Sequence, residues 1–159
     1  MNSIETYCEQ SENIQHVLVP LDASDSSHRV IQYLAKFLSN NSEVFITLLH
    51  MSTPEEWQNK ETGEELVKEK VRSEMELELI QDRKTLIDAG LKAEQVRTRL
   101  VERTDGSITD GILAQQRELK ACTIVVGRNH RSKRAEMLFG SIANRLAHKA
   151  EHCAVWIVE

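Results

Sequence analysis

Three stretches of the chain are almost continuously apolar: HVLVPL at 16–21, CTIVVG at 122–127 and CAVWIV at 153–158. Alternation would mark a strand with one wet face. Unbroken Val, Ile and Leu instead mark strands covered on both sides, as in parallel sheets. EVFITLLH at 43–50 and QVRTRLV at 95–101 bring the set to five. In the latter, Val96, Thr98 and Leu100 alternate with Arg97 and Arg99, which places it at or near an edge. Helical spacing fills the intervals. Residues 26–39 bring Val30, Ile31, Leu34, Ala35 and Leu38 to one side, and 63–89 space Val67, Val71, Met75, Leu79, Leu86 and Ile87 along one long amphipathic helix. Thr62-Gly63-Glu64-Glu65 has the form of a capping box and Gly90 is a stop. Ser107 with Asp110 starts a further helix running to about Leu119, and a last one begins near Gly140-Ser141 and ends about Ala150.

The order is βαβαβαβαβ. Strict alternation predicts an α/β fold: a doubly wound parallel sheet joined by right-handed crossovers. No linker or repeat divides it, so a single domain over 16–159 follows a polar tail at 1–15. The two long connections, 51–61 and 128–139, both follow strands and lie over the carboxyl edge, where open α/β sheets bind ligands.

Composition narrows the class. The chain has 159 residues, 40% of them hydrophobic, 28% charged and 4% aromatic, enough for one domain with a dry core. Two prolines and six glycines exclude a collagen-like or low-complexity chain. No apolar run approaches the roughly 18 residues that span a bilayer, and the first fifteen residues do not resemble a secretory signal. A soluble, cytoplasmic protein without a membrane partner is expected. Cys8, Cys122 and Cys153 have neither CxxC spacing nor an even count, so a disulfide framework is not expected and a reducing compartment fits. Cys122 and Cys153 read as small buried hydrophobes.

The formal charge of −5 disfavours a general nucleic-acid binder, but its distribution is uneven. Residues 55–78 carry nine acids and four bases, whereas 128–149 carry six bases and only Glu136 as an acid. Only the second segment invites an anion.

Two candidate sites follow. Asp22 comes directly after the first strand and precedes Ala23-Ser24-Asp25-Ser26-Ser27. Its carboxylate could hold a ribose hydroxyl, an adenine amine or a phosphate-bound metal, or this run could simply cap the next helix. The second site is GRNHRSKRAEMLFGS at 127–141. Gly127 ends a strand, and Gly140-Ser141 opens a helix whose free N–H groups and dipole favour an anion. The bases between add attraction; a solvated basic loop with an ordinary N-cap is the plainer reading. His148 and His152 stand four apart, beside Cys153, yet surface histidines at a helix end fit better than a metal pair. His50 reads as structural, while His16 and His28 have no evident partner. No Walker A, G-x-S-x-G or H-E-x-x-H motif occurs. The RNHRSKR stretch lacks an aromatic platform for nucleic acid.

The spacing of the second site, read with the first, resembles the universal stress protein family. Nucleotide-binding members carry G-x2-G-x9-G-(S/T) after the fourth strand and an Asp after the first. Gly127, position 130, Gly140 and Ser141 fall on that spacing without a gap, and VLVPLDAS, LLHM at 48–51 and CAVWIV are similar to family segments in the same order. Two positions depart from it. His130 stands where the second glycine is expected, and Glu102-Arg103 follows the third strand where many relatives have a glycine. An imidazole at 130 either obstructs a backbone approach or donates to a phosphate.

The resemblance implies a Rossmann-like sheet of the adenine nucleotide alpha hydrolase type in the order 3-2-1-4-5. It implies ATP or AMP in the cleft, with or without Mg, bound for regulation in a stress response, with at most slow hydrolysis. Asp22 would contact the nucleoside end or its metal, Met51 the adenine, and Gly127, Gly140 and Ser141 the ribose and phosphates. Arg128 and Arg131 are added on electrostatic grounds, and His130 by its place in the motif. It also implies a homodimer through the C-terminal strand, which would cover an apolar edge bearing Trp156. The alternative is a nucleotide-free interaction module whose acidic segment or basic loop docks a protein.

Overall fold

The computed structural model describes residues 14–52, 64–103, 105–128 and 142–159, with the backbone alone at 64–67. The chain runs through β1 (Gln15–Leu21), α1 (Asp25–Phe37), β2 (Val44–Ser52), α2 (Glu64–Asp88), a 3-10 turn (Ala93–Gln95), β3 (Val96–Glu102), α3 (Ile108–Leu119), β4 (Thr123–Gly127), α4 (Ile142–Lys149) and β5 (Ala154–Val158). All strands pair in parallel, in the order β3-β2-β1-β4-β5. The architecture and strand order are those expected, with element ends shifted by a residue or two. The tail up to residue 13, Thr62-Gly63 of the capping box and Gly140-Ser141 lie outside the described residues.

Parallel neighbours cannot be joined by a tight hairpin, so each connection must recross a face of the sheet. The period of two divides the apolar residues between those faces. Val17, Val19 and Leu21 of β1 join Val44, Ile46 and Leu48 of β2 beneath Val30, Ile31 and Leu34 of α1 and Leu79 and Leu86 of α2. On the opposite face Leu18, Leu49, Met51, Ile124 and Val126 meet Ile112 and Leu113 of α3 and Ala143 and Leu146 of α4. Each fully buried Leu or Ile contributes roughly 1.5–3 kcal/mol relative to exposure. In the long helix α2 the expected stripe faces inward but is only partly dry: Leu79 and Leu86 are buried, Val71, Met75 and Ile87 are half-buried, and Leu77 and Ile80, off the stripe, are exposed. Gly90 does end it, at φ +112, where an added Cβ would meet Asn40 Oδ1 at 2.6 Å.

Two expectations need correction. β5 is not covered on both faces: Ala154 is exposed, Val155, Trp156 and Val158 are half-buried, and Ile157 keeps 41% of its surface. As an edge strand it has a neighbour on one side only, so an apolar run here does not report a dry environment. His16 does have partners. Its Nδ1 lies 3.1 Å from the Leu119 carbonyl and its Nε2 lies 2.8 Å from Thr47 Oγ1, which also receives Arg97 Nε–H at 3.1 Å. A carbonyl only accepts, so Nδ1 carries the proton; Thr47 then donates to Nε2 and accepts from Arg97. Burial and the nearby Arg97 charge depress the His16 pKa, which keeps this chain of donors in its neutral form.

Asp82 on α2 has the opposite imbalance. Burial, then the Glu78 carboxylate, push its pKa up to about 6, partly opposed by His28 of α1. The folded chain holds this proton more tightly than the unfolded one, whose Asp titrates near 3.8. The stability it contributes is therefore fully present below about pH 4 and lost as pH rises through about 6. Asp82→Asn should exceed the parent in unfolding free energy by about 1 kcal/mol at pH 8, after allowance for partial exposure. That advantage should vanish by about pH 4, read by urea denaturation at both values.

Candidate functional site

The carboxyl ends of the two central strands define the site. β1 bridges β4 at Val17–Thr123 and Leu18–Ile124, and both strands run on for three more residues, to Leu21 and Gly127. From there the chain leaves in opposite directions. α1 returns over one face and α4 over the other, as their separate core clusters show. Adjacent strands whose crossovers part in this way leave a crevice at the carboxyl edge, the usual ligand position in open α/β sheets.

One rim of the crevice is the β1–α1 turn. Ser24 is the N-cap of α1, its Oγ accepting from Ser27 N–H at 3.3 Å. Asp22 has a different task from the capping that the sequence also allowed. Its Oδ1 accepts from Ser24 N–H at 3.1 Å and from the Ser27 hydroxyl at 2.8 Å, while its own N–H donates to Ser27 Oγ at 2.9 Å. The Ser24 and Ser26 hydroxyls lie 2.8 Å apart. These bonds hold the exposed Asp22 carboxylate at the strand end and bend the chain sharply enough to place Ala23 at φ +61. An L-residue pays about 1–2 kcal/mol for that left-handed geometry, and strain of this kind collects at binding turns.

The other rim is the end of β4. A Cβ on Gly127 would sit 2.7 Å from the Ser26 carbonyl oxygen and 2.9 Å from Ser26 Cβ. The glycine is needed because the β4 backbone lies directly against the first turn of α1. Arg29 Nη2 reaches the Arg128 carbonyl at 3.4 Å and ties the same two elements. Arg128 is also bonded through its N–H to the Val158 carbonyl at 2.8 Å, and its guanidinium pairs with Glu159. Part of the charge assigned to anion attraction is thus balanced by the chain's own carboxylate.

Met51 lies at the end of β2, buried in the second core cluster. A Cβ on Gly111 of α3 would come within 2.4 Å of its Cε, so the thioether occupies the space that this glycine leaves. His130, Arg131, Gly140 and Ser141 lie outside the described residues, as does the connection from 53 to 61. The Glu102-Arg103 departure is accommodated at the end of β3: Glu102 Oε1 takes Lys68 Nζ at 2.6 Å, and Arg103 N–H donates to the Ser52 carbonyl at 3.1 Å. His50 is structural as expected, with Nδ1 at 2.9 Å from the Leu21 carbonyl. His148 and His152 do not share a helix, because α4 ends at Lys149 and His152 takes φ +56. Among the described residues no three His, Cys, Asp or Glu side chains come together as a metal site. Sequence reasoning missed Ser27 as the Asp22 brace and Ser26 as the contact of Gly127. The signal available was the serine pair itself, four and five residues after Asp22.

The universal stress protein family model matches residues 13–159. The chain belongs to the universal stress protein family. Several solved structures share its fold. A universal stress protein in complex with cAMP superposes with a TM-score of 0.69 at 22% identity, over 92% of this chain and 98% of that one. UspA from Lactobacillus plantarum gives 0.68 at 15% identity, over 94% and 100%. The Archaeoglobus fulgidus universal stress protein in complex with dAMP gives 0.61 at 20% identity, over 92% and 99%. At such identities the likeness speaks for the fold. No curated protein sequence matches the chain.

Two substitutions test the rims. Ala23→Gly should raise stability by about 1 kcal/mol by releasing the left-handed strain. Gly127→Ala should cost about 1–3 kcal/mol, because backbone rather than a flexible side chain must yield. Equilibrium unfolding in urea reads both; equal stabilities for all three proteins would contradict the close approach.

Proposed function

We propose that this universal stress protein binds an adenine nucleotide in the crevice between β1 and β4 and acts by binding rather than turnover, as a cytoplasmic regulator in a stress response. The observation that carries the reading is the meeting of the braced Asp22 turn with the end of β4 at Gly127, at the point where the crossovers part. A carboxylate acceptor suits ribose hydroxyls or an adenine amine, and Gly127, by letting β4 close on Ser26, keeps that carboxylate's turn beside the strand end. Structural relatives solved with cAMP and with dAMP support the ligand class. In this reading Asp22 faces the nucleoside, Met51 backs the adenine side, and Gly127, Gly140 and Ser141 surround ribose and phosphates. Arg128, His130 and Arg131 supply the positive rim, and Mg accompanies ATP if a metal is used. Among the described residues no helix is long and apolar enough to cross a membrane.

Millimolar ATP, AMP or cyclic AMP, with and without magnesium, should raise the melting temperature of the full chain. Ligand at about a hundred times its Kd adds about 2.7 kcal/mol to the folded state. Asp22→Ala should weaken the shift at least tenfold in ligand concentration. Absence of any shift with all three nucleotides would overturn the reading and leave a nucleotide-free interaction module of the same fold.

The second part of the proposal is a homodimer through β5. The strand forms an edge of the sheet, and Ile157 is exposed on it. Beside it Trp156 meets the exposed Phe37 edge-on at 5.5 Å, and Phe37 stacks on Tyr33 at 5.4 Å. An unpaired apolar edge favours strand addition by a second copy. Ile157→Lys should convert a dimer to a folded monomer in analytical ultracentrifugation; a parent that is already monomeric at tens of micromolar would refute it.

A further inference from the structure

We infer that Cys122 and Cys153 form a thiol pair that oxidation closes into a disulfide between β4 and β5, at the end of the sheet opposite the nucleotide crevice. Both are free thiols here, and each keeps part of its surface. Their juxtaposition follows from the ladder. Thr123 pairs with Ala154, and the Ala154 N–H donates to the Cys122 carbonyl at 2.9 Å. In a parallel ladder a carbonyl accepts from the residue just after its cross-strand partner, so Cys122 stands opposite Cys153. Neighbouring strands lie about 4.8 Å apart, within the roughly 4.4–6.8 Å Cα separation that a disulfide spans.

The side chains share a face as well. Ile124 and Val155 both belong to the α3–α4 core cluster, and the period of two carries that face back to Cys122 and Cys153. Cys153 itself packs against that cluster. The Cys122 Sγ lies 3.4 Å from the His16 carbonyl. Burial raises the Cys153 pKa, and the neighbouring Cys122 raises it further, so the two sulfurs sense each other's charge. That shift favours the protonated Cys153 thiol, which slows its attack on a disulfide.

The oxidant is a small-molecule disulfide such as oxidised glutathione. One protein thiolate attacks a glutathione sulfur, the glutathione S–S bond breaks and reduced glutathione leaves. The second protein thiolate then attacks the mixed disulfide and expels the other glutathione. Two protein thiols are oxidised, one small disulfide is reduced, and both thiol protons end on glutathione. The bridge closes a loop over 122–153 that contains β4 and α4, and ties β4 to β5 covalently at the end away from the crevice.

Full-length protein carrying Cys8→Ser is equilibrated in glutathione buffers of increasing oxidised fraction, alkylated, digested without reductant and mapped by mass spectrometry. We expect a linked Cys122–Cys153 peptide, loss of two hydrogens from the intact mass, and a melting temperature higher by roughly 5 °C that falls back on reduction. Cys122→Ser and Cys153→Ser should each abolish the link and the shift. Recovery of both thiols fully alkylated, or only as glutathione mixed disulfides or links between chains, at every buffer ratio overturns the inference.

Discussion

The structure depends on keeping both faces of the central strand dry. β1 is flanked by β2 and β4, and Leu18 and Val19, buried on opposite faces, are fully shielded. Because all its neighbours are parallel, no connection can be a short hairpin, and each must recross a face. The first half of the chain moves outward from β1 through β2 to β3 with α1 and α2 on one face. The second half moves the other way through β4 to β5 with α3 and α4 on the other. Covering both sides of β1 therefore forces the crossovers to part beside it, and the crevice follows from that geometry rather than from any residue in it.

The residues then give the crevice its chemistry. Exposed carboxylates are common at strand ends; this one is held by a serine hydroxyl and a main-chain N–H, so its orientation is set before any ligand arrives. Such fixed geometry lowers the ordering cost of binding. The absent side chain at Gly127 lets the β4 end lie against the β1–α1 turn, within which Ala23 takes left-handed geometry. The Arg128–Glu159 pair works against a purely electrostatic account of anion attraction at the end of β4. Exposed pairs of this kind are weak and screened by salt, so the guanidinium remains exchangeable toward a stronger anion.

The two edges of the sheet show how far a pattern of apolar residues can be trusted. The alternating arginines of β3 led correctly to an edge, because a wet face must be polar. The unbroken run of β5 suggested two covered faces, whereas the strand is an edge with Ile157 outward. Apolar residues report the need for cover, not its source. Within one chain Ile157 lacks that cover, and the proposed association through β5 would supply it. His16 erred in the other direction: its partners Thr47 and Leu119 lie 31 and 103 residues away, and no local signal announces them.

The sequence by itself determined the element order, the parallel sheet and the family, because these rest on periodicity and on spacings that survive substitution: Asp22 after one strand, and Gly127, Gly140 and Ser141 after another. It also marked Ser107 as a cap and Gly90 as a stop, since those depend on contacts within a few residues. Only the tertiary structure decided that Gly127 is a glycine because of Ser26, that Arg128 faces Glu159, that Met51 fills the space above Gly111, and that Cys122 stands opposite Cys153. Those relations join positions far apart along the chain, and they exist only once burial of the two faces has fixed strand order and register.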